Sequence, residues 1–90
     1  MANNSRRNIQ QFVLENVIDD GIITFQSRPH TIVEIWAMIP VSDNSEKLFR
    51  GIGHAELGKN DPWDEVLGYN IACGRAIKSI VKQLNKELNK

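Results

Sequence analysis

From Thr31 to Ile39 almost every residue is branched, aromatic or apolar, and a period of two divides the run into two faces. Val33, Ile35, Ala37 and Ile39 form one face, and Ile32, Glu34, Trp36 and Met38 the other. A half-buried strand usually alternates apolar with polar residues. Here Glu34 alone makes the second face polar, so both sides of the strand ask to be covered. Lys47 to Leu57 reads as a second such strand, with Phe49, Gly51, Gly53 and Ala55 facing inward and Leu48, Arg50, Ile52, His54 and Glu56 facing outward. The turn cluster Ser42-Asp43-Asn44-Ser45 separates the two runs. In this arrangement Ile32, Trp36, Met38, Leu48, Arg50, Ile52 and His54 share one outer sheet face.

Beyond Asp61 the period changes to steps of three and four. Cys73, Ala76, Ile77, Ile80, Val81, Leu84 and Leu88 fall on one side of a helix over 61 to 88, and Arg75, Lys78, Lys82, Lys86 and Lys90 on the opposite side. Such a helix lies on a surface. Asp61 is placed to cap it, Pro62 to occupy its first turn, and Asp64 and Glu65 to favour the positive end of its dipole. Gly68 and Gly74 each cost on the order of 1 kcal/mol inside a helix, which suggests a backbone packed closely on a neighbour, with Gly51 and Gly53 supplying that neighbour.

At the other end, Ser5 to Asp19 carries Ile9, Phe12, Val13 and Val17 at helical spacing, with Gly21 placed as a stop. A hairpin through Asp20-Gly21 competes with this reading, because Val17, Ile18, Ile22 and Ile23 flank that dipeptide. Ile22 to Ser27 is a short strand, connected through Arg28-Pro29-His30 to the strong strand. The expected order is helix, three antiparallel strands and helix, an α+β αβββα domain with both helices on one sheet face. Residues 1 to 90 make a single domain, frayed over 1 to 5.

Composition narrows the function classes. Hydrophobic residues make up 41% and charged residues 24%, the range of an ordinary globular chain. Eleven basic residues balance eleven acidic ones, which removes the general attraction that a non-specific nucleic-acid binder needs. The single cysteine, Cys73, excludes an intrachain disulfide and suits a reducing compartment as a buried, inert thiol. The segment from Met1 to Gln11 lacks the apolar core of a signal peptide, and no run is long enough to span a bilayer. A cytoplasmic protein without membrane contact is expected.

No catalytic constellation emerges. Ser42, Ser45 and Ser79 lack an elbow motif, Gly51-Ile52-Gly53 is not a phosphate loop, and no cofactor fingerprint is present. Asp61, Asp64 and Glu65 serve helix capping, and with Asp19 and Asp20 they lack calcium-loop spacing. His30 and His54 are the only histidines and there is no second thiol, so a closed zinc site would lack ligands. The expectation is a protein that is not an enzyme and needs neither metal nor cofactor.

The strand bearing Gly51-Ile52-Gly53, followed by a helix with Ala72, Ala76 and an apolar series to Leu84, resembles the end of a double-stranded-RNA-binding domain. Gly53-His54-Ala55, Asp61, Gly68, Ala72 and Arg75-Ala76 look like small uncharacterised bacterial and phage proteins of that fold. The likeness covers about a third of the chain at motif level and concerns the fold. In the RNA binders a lysine cluster opens the last helix and grips phosphate. Here Asp61, Pro62, Trp63, Asp64 and Glu65 stand in that place and reverse its charge.

The leading expectation is a small binding protein, homo-oligomeric or docking a protein partner through Ile32, Trp36, Met38, Leu48, Arg50, Ile52 and His54. The rival is nucleic-acid binding through Arg6, Arg7, Arg28, His30, Arg75, Lys78 and Lys82. The resemblance adds a phage accessory or inhibitor role, including capture of a small nucleotide at an oligomer interface.

Overall fold

The computed structural model describes residues 5–58, 62 and 64–89, with side chains from Ile9 onward. The order is α1 (Ser5–Glu15), β1 (Val17–Ser27), β2 (His30–Ser42), β3 (Ser45–Glu56) and α2 (Glu65–Leu88). The strands form one antiparallel sheet in the order β1-β2-β3. The expected α+β αβββα layout is therefore present.

Alternation along β2 and β3 sets the core. Val33 pairs with Gly53, Ile35 with Gly51 and Ala37 with Phe49, so the inward residues of both strands share one face. These residues, Ile39 and Ala55 are buried together with Ala72, Ala76, Ile77, Ile80 and Leu84 of α2 and Val13 of α1. Both helices therefore occupy the same side of the sheet. α2 crosses β2 and β3, and α1 rests mainly against α2.

The glycines on β3 decide how closely α2 approaches. A Cβ on Gly53 would collide with the Ala72 carbonyl and lie 2.5 Å from the Ala76 amide nitrogen, and one on Gly51 would strike Ala76 and Ile80. Thus Gly51 and Gly53 do receive the helix, at its alanines. Gly68 passes over Thr31, where a Cβ would lie 2.7 Å from the hydroxyl oxygen. Gly74 departs from expectation: a Cβ there would meet nothing within 4 Å. Leu88, assigned to the buried stripe, is 57% exposed because α2 has run beyond the sheet's cover.

The cap of α2 also differs from expectation. Asp64 is the N-cap, and its Oδ1 accepts from the Leu67 amide at 3.0 Å. The helix begins at Glu65, while Asp61, Trp63 and Lys90 lie outside the described residues.

The N-terminal assignment needs a further correction. α1 ends at Glu15, and Asn16 closes it by donating from Nδ2 to the Phe12 carbonyl at 2.8 Å. The Asn16 carbonyl already accepts from the Met38 amide at 2.9 Å, drawing the chain into the sheet. Val17 pairs with Ala37, but the next paired residue is Ile22, opposite Ile35. The intervening residues bulge out, with Asp20 at φ 57° and Gly21 buried against the Trp36 carbonyl. Asp20-Gly21 is therefore the corner of one irregular strand. It is neither a helix stop nor a hairpin turn.

The two sheet edges differ. On β3, the His54 carbonyl accepts from Arg75 Nη1 at 2.5 Å and the Arg50 carbonyl from Gln83 Nε2 at 2.8 Å, both donors reaching over from α2. Neither helix packs extensively on β1. Ile22, opposite Ile35 and therefore on the helix side, is still 40% exposed.

Candidate functional site

The sheet face away from the helices is built by the outward residues of all three strands. Pairing places Trp36 opposite Arg50, Met38 opposite Leu48, Glu34 opposite Ile52 and Ile32 opposite His54. All the residues expected on this face are brought together there. Directly opposed residues share a face, so β1 adds Ile23, opposite Glu34, and Phe25, opposite Ile32. Those two were missed in the sequence because the length and register of β1 depend on its bulge.

Most of this face is apolar and exposed. Ile23, Ile32, Met38 and Leu48 are each exposed, Ile52 is 48% and Phe25 61% exposed. α1 lies on the opposite side against α2, so it does not fold across this surface. Isolated exposed apolar residues are ordinary, whereas here they are contiguous over three strands.

One polar cluster interrupts the centre. Glu34 accepts from the Trp36 indole Nε1 through Oε1 at 2.9 Å and from Arg50 Nε through Oε2 at 2.7 Å. The Arg50 guanidinium also lies over the Trp36 ring, 5.5 Å from its centroid, which explains why Trp36 is only partly exposed. These contacts hold the Glu34 carboxyl below its ordinary value of 4.5, the indole hydrogen bond first and the Arg50 hydrogen bond second. The charges at the centre of the face therefore neutralise each other.

A second cluster lies where β2 begins and β3 ends. His30 Nδ1 stands 2.9 Å from His54 Nε2 and 3.5 Å from Glu56 Oε1, with the two rings stacked at 5.1 Å between centroids. His54 and Glu56 alternate onto one side of β3, and His30 is paired with Glu56. Counting histidines in the sequence missed this group, because Glu56 joins it only through strand pairing.

Among the described residues, those of the nucleic-acid reading spread from the β1–β2 turn along α2. Arg28 lies in the β1–β2 turn and His30 next to it on β2. Lys78 and Lys82 are exposed on α2, about 15–21 Å along its axis from Gly68, which touches Thr31 near that turn. Arg75 is tied to the His54 carbonyl, and the side chains of Arg6 and Arg7 lie outside the described set. A groove of about 280 Å³ between the helices is lined by Ile9, Gln10, Lys78, Val81 and Asn85. It is open and lacks a converging set of polar groups. No described helix is long and apolar enough to cross a membrane. Comparison with protein-family models, curated proteins and solved structures gives no match for this chain.

Proposed function

We propose that the chain is a non-catalytic binding domain of double-stranded-RNA-binding-domain-like fold that works as a homo-oligomer, closing its outer sheet face against a second copy. The observation that carries this is the uncovered apolar face, from Phe25 and Ile23 through Ile32 and Met38 to Leu48 and Ile52. Glu34 and Arg50 cancel each other's charge at the centre, so two copies of this face meet without net repulsion. A strongly charged partner finds no complementary field there. Trp36 and Arg50 supply the residue types that anchor such contacts.

Light scattering on the purified protein at low and high salt tests this. A dimer or larger species that persists in high salt is expected, with Ile52→Lys and Phe25→Ser shifting it to monomer while circular dichroism stays unchanged. A wild-type monomer at high micromolar concentration refutes self-association. Binding to RNA that collapses with added salt would instead favour the basic residues.

A further inference from the structure

We propose that His30, His54 and Glu56 form a binding site for a divalent transition metal of the zinc class. Their ligand atoms all lie within 4.8 Å of one another. In a tetrahedral zinc site with metal–nitrogen bonds of 2.0–2.1 Å, neighbouring ligand atoms stand about 3.3 Å apart. The distances from His30 Nδ1, 2.9 Å to His54 Nε2 and 3.5 Å to Glu56 Oε1, bracket that spacing. The third pair, His54 and Glu56, lies within 4.8 Å, and all three side chains are exposed, so rotation about their side-chain bonds can bring it to the same spacing.

The backbone beneath the cluster is held on both sides. The Leu57 amide donates to the Pro29 carbonyl at 3.0 Å, and Arg75 donates to the carbonyl of His54 itself. Strand pairing then fixes His30 opposite Glu56, with His54 on the same face. Three donors are thus presented by two tied strands.

The donor set selects the ion. Two imidazoles and one carboxylate suit zinc, copper, nickel or iron(II), whereas magnesium and calcium prefer oxygen donors alone. Without metal, the two ring nitrogens form a hydrogen bond whose donor depends on the tautomer. A neutral imidazole can carry its proton on either nitrogen, so the outward nitrogens can keep theirs while both inward lone pairs face the metal. Three protein ligands leave a fourth position for water or for a donor from outside the chain. The assignment does not depend on self-association.

Isothermal titration of untagged, chelator-treated protein with zinc chloride provides the test. About one zinc should bind per chain with micromolar or tighter affinity, while magnesium gives no heat. Substituting even an outer-shell partner of a metal typically costs about 10–100-fold in affinity, so His30→Ala and His54→Ala should each lose at least that much. Both histidines are exposed, and circular dichroism should show both variants folded. Cobalt(II) should give a visible absorption band that disappears with His54→Ala and survives Cys73→Ser. Absence of zinc binding, or wild-type affinity in both histidine variants, would overturn the assignment.

Discussion

Alanine at Gly53 and at Gly74 should move stability in opposite directions, although both glycines belong to the same pairing of strand and helix. At Gly53 a new Cβ meets the Ala72 carbonyl and the Ala76 amide, which are backbone atoms of α2 and cannot rotate aside. The helix must lift from β3 by something over 1 Å, opening space beside the buried Ile80, Ala76 and Val33. Overpacking of a core costs about 1–3 kcal/mol, and the loosened contacts add to it, so a loss of about 3 kcal/mol is expected. Gly74 sits within α2 with no atom near the site of a Cβ, and no glycine here has positive φ. Gly74→Ala should therefore gain about 0.5–1 kcal/mol through helix propensity and reduced unfolded-state freedom. For a domain of this size each kcal/mol shifts Tm by about 4–8 °C, so the two variants should melt roughly 15 °C apart or more. Urea unfolding at two protein concentrations would separate the monomer's stability from any contribution of association. A Gly53→Ala variant as stable as wild type would show that α2 does not rest on β3 through these glycines. A destabilised Gly74→Ala variant would refute the open space beside it.

Two further substitutions address polar groups. The carboxyl of Glu34 titrates lower in the folded protein than its ordinary 4.5, so its stabilising effect is present above that value and lost as pH falls through the lower folded pKa. Glu34→Gln should accordingly be less stable than wild type at neutral pH, with the gap in Tm closing on acidification below about 4.5; a constant gap would remove Glu34 as the source. The Thr31 hydroxyl is buried beneath Gly68 with no hydrogen-bond partner among the described residues. Thr31→Val keeps the shape and removes that oxygen, and should raise stability by about 1 kcal/mol in chemical denaturation, whereas a loss would mean that the hydroxyl is bonded in solution.

The parts of the fold that could be read from sequence were those set by a local period. Alternation from Thr31 to Ile39 and from Lys47 to Leu57 placed every inner and outer residue correctly, since a slip of one residue would have put Val33 and Ile35 in water. The helical stripe from Ala76 to Leu84 was legible for the same reason. Asp20-Gly21 was not, because a left-handed residue followed by glycine serves helix ends, hairpins and bulges alike, and only pairing with Ile35 and Ala37 selects the bulge. The extent of the outer face on β1 and the meeting of Glu56 with His30 depend on the same long-range register. Gly74 misled for another reason: a costly residue in a helix implied a close neighbour, and the structure offers no packing account of it.

The two edges of the sheet were seen to differ, with two carbonyls of β3 occupied by Arg75 and Gln83 from α2, while neither helix packs extensively on β1. An unpaired edge invites another strand, and a molecule with two such edges can add copies without end. Among the described residues, β1 is the less protected of the two edges. Strand addition of β1 to β1 of another copy is a twofold contact that consumes that edge in both. The side chains that α2 sends to β3 thus act as edge protection, weighting strand addition against β3.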